Sequence, residues 1–176
     1  MKTNFFFQKL PLGLLAVVLL SLFPLFNLLH PGLPLTHDGA DHVARIANFY
    51  KALTEGIAIP RWAENLNWGF GHPILMFLYP LSSYLSSFFH AIGFSYIDSL
   101  KIVFAVGFIA SGITMYLWIR EEFGEYPAIA AALLYMYSPY RFVDLYVRGA
   151  IGEHMAFIFP PLVLFFLFKY VTHVYL

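Results

Sequence analysis

Long apolar runs alternate with short polar segments along this chain, and the lengths of the runs predict helices that cross a membrane. Residues 10–29 contain no charged side chain. An α-helix needs about 20 apolar residues to cross a hydrocarbon core of ~30 Å. A cleaved signal peptide would have an apolar core of about 7–15 residues followed by small residues. Because this run is longer and ends in LFNLLHPG, the pattern favours a retained first transmembrane helix at 10–29.

The charges before this helix predict its orientation. Lys2 and Lys9 precede it, and no acidic residue does. By the positive-inside rule, the N-terminus should be cytoplasmic. Residues from 30 onward should then lie outside.

The polar segment at 30–73 holds four of the chain's seven histidines and a cluster of charged side chains. Within it, the pattern of apolar and polar residues at 40–54 predicts an amphipathic helix that lies along the membrane surface. Apolar side chains recur at helical spacing at Val43, Ile46, Ala47, Tyr50 and Leu53, whereas Asp41, Arg45 and Asn48 fall on another face. Asp41 and Arg45 are also spaced as an i,i+4 ion pair.

Four further apolar stretches follow, at 73–94, 102–119, 126–140 and 155–168. The first is ambiguous, because two prolines, four serines and a histidine interrupt it. If 73–94 spans the membrane, residues 141–154 lie in the cytoplasm. If it enters and returns on the same side, residues 141–154 share the outer face with the first loop. The charges alone leave both topologies open.

The composition supports a membrane protein and excludes several other classes. Hydrophobic residues make up 60% of the chain, charged residues only 11%, and the mean hydropathy is +0.71. Soluble domains carry roughly 25% charged residues. The net charge of zero gives no electrostatic basis for binding nucleic acid. The absence of cysteine excludes disulfides, thiolate metal sites and cysteine nucleophiles. We therefore expect an all-α, polytopic membrane protein that forms a single membrane domain over residues 1–176.

The first candidate site is the segment THDGADH at residues 36–42. Carboxylates at a membrane boundary are costly unless they are partnered, so they are functional candidates. Asp38 could take a proton from a hydroxyl group or coordinate a hard cation. The structural alternative is that Asp38 caps a helix and that Asp41, three residues later, completes a capping box. The two roles are compatible.

The second candidate site is the polar break RFVDLYVRGAIGEH at residues 141–154. Glu153 and His154 are adjacent and cannot share a helical face, but a loop could direct both at one ion. Arg148 could bind a phosphate group. The structural alternative is an interfacial loop whose arginines meet lipid headgroups. A zinc site is disfavoured, because His37 and His42 are five residues apart and miss the i,i+4 spacing.

The chain resembles the N-terminal part of a GT-C glycosyltransferase, a class of polytopic membrane enzymes that use lipid-phosphate-linked sugars. The resemblance covers nearly all residues and lies in the order of five features: an anchor, HDGADHVARIANFYKALTEGIAIPRW, NWGFGHPILMFLYPLSSYL, two spans and RGAIGEHM. Within that class the chain is most similar to bacterial membrane proteins labelled 6-pyruvoyl-tetrahydropterin synthase-related. Nothing here resembles the zinc-binding histidines of the pterin enzyme.

The resemblance implies roles for particular residues. Asp38, followed by Gly39, matches the first-loop acid of oligosaccharyltransferase-type enzymes, which binds metal beside the acceptor. Glu153 and His154 match a later acidic pair, with histidine in place of one acid. Asp38, Glu153 and His154 would then bind a divalent cation such as Mg²⁺ or Mn²⁺. Other branches work without metal and use the first-loop acid as the base.

The resemblance also implies a substrate cleft and a topology. The expected substrate-binding residues are Asp41, His42, Arg61, Trp62 and Arg148, with Arg148 neutralising the polyprenyl phosphate leaving group. In the family, the counterpart of 73–94 does not span. The external loop would therefore cover 30–96 and carry surface and re-entrant helices. Residues 97–176 would form further transmembrane helices, with a second external loop at 141–154.

We therefore expect a multi-pass enzyme of the cytoplasmic membrane that transfers a sugar from a polyprenyl-phosphate-linked donor to an acceptor on the outer face. Its expected partners are membrane lipids, the lipid-linked sugar and an acceptor. GT-C enzymes have many more spans, so this chain would be their N-terminal part. Two alternatives remain open: a transporter or lipid-handling protein without catalysis, and a structural membrane subunit.

Overall fold

The computed structural model of the chain describes residues 12–175, so Lys2, Lys9 and residues 10 and 11 lie outside the described part. Within it, every regular element is helical and no strand is present, which confirms the all-α prediction. Three segments are long and apolar enough to cross a membrane, with mean hydropathies of 2.4, 2.0 and 1.8: Leu12–Leu29, Tyr96–Phe123 and Ile151–Val171.

Eight α-helices follow one another along the described chain. They are α1 (Leu12–Leu25), α2 (Gly39–Thr54), α3 (Pro80–Ala91), α4 (Tyr96–Phe123), α5 (Glu125–Met136), α6 (Pro139–Val143), α7 (Ile151–Ala156) and α8 (Phe159–Tyr175). Short 3-10 turns form at Phe26–Leu29, Asn67–Gly69 and Pro73–Met76, and a single π-turn forms at Asp144–Arg148.

Two of the predicted apolar stretches form shorter helices than a membrane crossing requires. Residues 73–94 become the turn at Pro73–Met76 followed by the 12-residue α3. Residues 126–140 become the 12-residue α5 and the start of α6, with two residues between the two helices. At 1.5 Å per residue, 12 residues extend about 18 Å, well short of the ~30 Å core.

The chain divides into two compact units. The first unit contains residues 12–27, Gly107–Ser138 and 156–175. The second unit contains Leu28–Val106 and Pro139–Met155.

In the first unit, contacts at both ends show that α1 and α5 run parallel. The backbone N–H of Gly13 donates to the Glu125 carboxylate at 2.8 Å, where both helices begin. The Tyr137 hydroxyl, just after α5, donates to the Leu20 carbonyl at 2.7 Å. The N-terminal ends of α1 and α5 therefore lie together, and both helices run in the same direction.

The other two helices of the first unit run the opposite way. Only Gly124 separates α4 from α5, and Gly112 of α4 packs against the Met136 side chain at the far end of α5. This contact makes α4 and α5 an antiparallel hairpin. The Lys169 ammonium lies 3.6 Å from the Glu121 carboxylate, so the C-terminal parts of α8 and α4 lie side by side.

In the second unit, α2 packs on α3 and on the loop between α2 and α3. Phe49 of α2 forms a buried cluster with Ala63 and Leu75. Four buried serines on α3 are small enough for the two helices to approach closely; they are Ser82, Ser83, Ser86 and Ser87.

The predicted amphipathic helix at 40–54 is confirmed as α2, but one side chain of its predicted polar face is buried. The Asn48 Nδ2 donates to the Ala44 carbonyl at 2.9 Å, and its Oδ1 accepts the Asn65 N–H at 2.9 Å. Asn48 therefore anchors the following loop, which covers the predicted polar face at this position.

Candidate functional site

The two segments that carry the predicted acids meet in the second unit. The His37 backbone N–H donates to the Val147 carbonyl at 2.9 Å, and the Asp38 N–H donates to the Arg148 carbonyl at 3.0 Å. Two consecutive backbone hydrogen bonds thus join the start of α2 to the π-turn. We call these joined segments, 36–42 and 144–154, the paired-loop site.

Gly149 makes this close approach possible. It ends the π-turn in the left-handed region, with φ 67° and ψ 32°. A β-carbon at this position would clash with the Thr36 side chain. Only glycine adopts this left-handed conformation without strain and leaves room for the Thr36 side chain.

Asp38 occupies the N-cap position of α2, as the capping alternative predicts, but its carboxylate makes no capping hydrogen bond. The Gly39 N–H at the start of α2 is bonded by the Thr36 hydroxyl at 3.1 Å, and Asp38 makes no capping bond from its side chain. Asp38 is half-buried, and its carboxylate makes no hydrogen bond or ion pair with any described residue. The paired-loop site therefore presents an acid that has no structural partner in this part of the chain.

Asp98 is an acid at a helix start in the same unit whose carboxylate does have a hydrogen-bond partner. The Ser95 hydroxyl donates to this carboxylate at 2.6 Å, and the Asp98 N–H donates to the Ser95 hydroxyl at 3.0 Å. The Ser95 hydroxyl thus caps the start of α4, and the Asp98 carboxylate holds that hydroxyl in place. Asp98 therefore has a structural role that Asp38 lacks.

His42 lies one turn after Asp38 and is buried. Burial lowers its pKa, the charge of Arg45 lowers it further, and Asp38 acts in the opposite direction. Its Nε2 has no hydrogen-bond partner among the described residues. The ring is therefore neutral at neutral pH and lies inside the unit, which does not fit a substrate-binding cation.

Arg148 is held by acids of its own segment. Its Nη1 donates to the Glu153 carboxylate at 2.6 Å and to the Tyr140 hydroxyl at 2.6 Å, and lies 3.6 Å from Asp144. The Tyr140 hydroxyl also donates to Glu153. Arg148 is thus charged and 40% exposed, with carboxylate partners in place.

The predicted metal set of Asp38, Glu153 and His154 is not brought together. The expected loop is helical here, because α7 begins at Ile151, and adjacent helical residues point about 100° apart. Glu153 faces Arg148, whereas His154 is fully buried. Among the described residues, no three His, Cys, Asp or Glu side chains are placed to hold a metal ion.

A buried polar cluster supports the paired-loop site from within. Arg141, Asp144 and His154 each have 0% exposure. The His154 ring lies 3.5 Å from the Asp144 carboxylate through Nδ1 and 3.0 Å from the Phe104 carbonyl through Nε2. Arg141 donates to the His154 carbonyl at 3.4 Å. The headgroup alternative is therefore wrong for Arg141, whose side chain is inside the protein.

The remaining predicted substrate residues lie elsewhere on the second unit. Asp41 is exposed and lies 3.5 Å from Arg45. Arg61 and Trp62 are exposed beyond the C-terminal end of α2. The Trp62 ring covers Gly71. The described contacts bring neither Arg61 nor Trp62 to the paired-loop site.

An open cleft of about 540 Å³ lies between α2 and the following loop, and we call it the Trp68 cleft. Its lining residues are Asp41, Ala44, Arg45, Leu66, Asn67, Trp68, His72 and Ile74. The resemblance implied an acceptor or lipid-head cleft shaped by the surface helix and the Trp62–Trp68 region, and a cleft lies between α2 and that region. Sequence reasoning missed the role of Tyr140 at Arg148.

Comparison of the chain with protein-family models, with curated proteins and with solved structures finds no match.

Replacing Gly149 with alanine should lower the free energy of unfolding by at least 1–3 kcal/mol, roughly the cost of a residue strained in this backbone region. The clash with Thr36 adds to that strain. Gly56→Ala is the matched control, because Gly56 also has positive φ (86°) but no atom within 4 Å of an added β-carbon. Thermal unfolding in detergent micelles should show the larger loss for Gly149→Ala. Equal losses would mean that the Thr36 contact is not tight.

Proposed function

We propose that this chain forms the first-loop part of a membrane glycosyltransferase that uses a polyprenyl-phosphate-linked sugar. The observation that carries the proposal is the paired-loop site. It holds a half-buried acid, Asp38, without a partner among the described residues. The same site holds an exposed arginine, Arg148, one backbone hydrogen bond away. The backbone contact thus brings the segments of an acid and a cation together, and sugar transfer from a lipid phosphate needs both groups.

The helix directions support a topology in which both loops lie on one face of the membrane. Because α1 and α5 run parallel, the segments that follow them emerge on the same side. Hydrogen bonds of 2.9 and 3.0 Å between 37–38 and 147–148 could not form across a bilayer. In this proposal α4 crosses inward, α5 with α6 returns outward, and 73–94 does not cross. The N-terminal lysines would make the shared face the outer one.

Asp38 is proposed to act on the acceptor. Its carboxylate would accept the proton of the acceptor hydroxyl while that oxygen bonds to the anomeric carbon of the donor. The bond from the anomeric carbon to the phosphate oxygen breaks in the same step, and the phosphate leaves with the electron pair.

Arg148 is proposed to stabilise the leaving phosphate. Arginine binds phosphate through two parallel N–H groups. Glu153 occupies this guanidinium in the described structure, so phosphate would replace Glu153 when the donor binds. Tyr140, already bonded to Arg148, would hold the guanidinium in place during that exchange. Metal donors are not assembled at this site, and no step of the proposal passes through a metal.

Membranes from cells that lack this protein, or that carry it, provide the test. Each preparation is supplied with radiolabelled glucose, mannose or N-acetylglucosamine linked to polyprenyl phosphate. Label should leave the lipid fraction and enter an acceptor only when the protein is present. Label that crosses the bilayer while still linked to lipid would indicate a transporter. An unchanged lipid fraction for every donor would overturn the proposal.

A further inference from the structure

We infer that the Trp68 cleft binds an uncharged sugar ring. The inference rests on the proposed function only in naming that sugar as the acceptor of the transfer. The cleft, at about 540 Å³, lies within the ~300–1,000 Å³ of small-molecule sites. It combines an aromatic face with several polar side chains, the combination that suits a ligand with an apolar ring face and a rim of hydroxyl groups.

The loop that carries Trp68 is held closed at its base. Ala63 and His72 exchange two backbone hydrogen bonds of 2.9 and 3.0 Å. Inside the loop, the Leu66 carbonyl accepts the N–H groups of Gly69 and Gly71 at 3.2 and 3.0 Å. These bonds fix the loop before any ligand binds, which reduces the entropy lost on binding.

The same loop is tied to α2, the opposite wall of the cleft. The Asn65 N–H donates to the buried side chain of Asn48, and Glu64 forms an ion pair with Lys51. The two walls are therefore held together by contacts outside the cleft, which leave Asn67 and Trp68 at the tip of the loop.

At the tip, the backbone is strained and Trp68 is displayed. Asn67 and Trp68 both have φ 54°, in the left-handed region that non-glycine residues rarely adopt. Trp68 is 94% exposed, although an indole usually gains stability from burial. Strained residues of this kind persist at ligand-binding sites, where the geometry serves the ligand. The tip thus places an exposed indole at the cleft.

The charges of the cleft favour an uncharged ligand. Asp41 and Arg45 form an ion pair at 3.5 Å, so the formal charges of the lining cancel when His72 is neutral. An anionic ligand would have to compete with Asp41 for Arg45. A sugar hydroxyl can instead donate to Asp41 and accept from Arg45 or the Asn67 amide without separating the pair.

Saturation-transfer NMR on the protein in lipid nanodiscs tests the inference. The probes are the methyl glycosides of glucose, galactose, mannose and N-acetylglucosamine. At least one probe should receive saturation on the protons of one ring face. Its affinity should fall about tenfold in Trp68→Ala, as expected for the loss of a stacking contact, and should largely recover in Trp68→Phe. Raising the salt concentration should leave the affinity unchanged.

Phe70→Ala is the matched control, because Phe70 is 81% exposed on the same loop but does not line the cleft. It should bind the probe as the unaltered protein does. Binding that Trp68→Ala leaves unchanged, or no binding of any probe, would overturn the inference. Quenching of Trp68 fluorescence by brominated lipid, in a protein with Trp62→Phe and Trp118→Phe, would also overturn it by making Trp68 a membrane anchor.

The outcomes separate this inference from the proposed function. Asp38→Asn should retain probe binding even where sugar transfer is lost. Transfer that persists in Trp68→Ala, together with unchanged probe binding, would remove the cleft from the reaction and leave the proposed function standing. Probe binding without any transfer would support the inference about the cleft and overturn the proposed function.

Discussion

Asp38→Asn should reduce sugar transfer by about 10²–10⁴-fold, the usual effect of removing a general base. The amide keeps the size of the carboxylate but cannot accept the proton of an acceptor hydroxyl. Because the carboxylate makes no hydrogen bond or ion pair with the described residues, the variant should unfold at the same temperature as the unaltered protein. Transfer rates in membranes and unfolding in detergent micelles measure the two effects.

Asp98→Asn is the control for that experiment. Asp98 also lies at a helix start in the second unit, but its carboxylate accepts a hydrogen bond from the Ser95 hydroxyl that caps α4. This variant should lose about 1 kcal/mol of stability, the net value of one hydrogen bond, and keep full transfer activity. If Asp38→Asn left transfer unchanged, Asp38 would not be the base. If it lowered stability instead, Asp38 would have a structural partner.

Asp144→Asn should lower the free energy of unfolding by about 3–5 kcal/mol, because it removes the negative charge from a buried ionic cluster. Asp144 has no exposed surface and lies 3.5 Å from His154 and 3.6 Å from Arg148. The neighbouring Arg141 guanidinium, also fully buried, would remain charged in a less favourable environment. Denaturation in detergent micelles, followed by circular dichroism, measures the loss.

A surface ion pair of the same unit provides the comparison. Glu64 and Lys51 are paired, but their side chains are 50% and 42% exposed. Glu64→Gln should therefore cost no more than about 1 kcal/mol. Similar losses in Glu64→Gln and Asp144→Asn would mean that the buried cluster does not hold the paired-loop site together.

Local patterns in the sequence predicted the elements whose signals are local. Apolar length identified α1 and α4 as segments long enough to cross a membrane, and helical spacing identified α2 to within one residue of its start. The sequence left 73–94 open between a spanning and a re-entrant segment, and in the structure it divides into the turn at Pro73–Met76 and the 12-residue α3. Periodicity also misplaced Asn48, whose partner Asn65 lies 17 residues further along the chain.

The candidate site depended more strongly on contacts between distant residues. Spacing placed Asp38 correctly at the N-cap of α2, but the hydrogen bond to the Gly39 N–H comes from the Thr36 hydroxyl. Spacing also allowed Glu153 and His154 to bind a common ion, but their side chains point in different directions because both residues lie in the helix α7. Tyr140, the hydrogen-bond partner of Arg148, lies eight residues earlier in the chain. The π-turn at Asp144–Arg148 determines this pairing. No short-range pattern contains that information.

The central claim is that the two segments of the paired-loop site lie together on the outer face of the membrane. The chain has no cysteine, so His37→Cys, Val147→Cys and Phe123→Cys each introduce a single thiol, all at exposed positions. Intact cells are treated with a membrane-impermeant maleimide. Labelling at positions 37 and 147, with protection at 123 until the membrane is permeabilised, is the predicted result. Protection of position 147 in cells that label at position 37 would contradict the account.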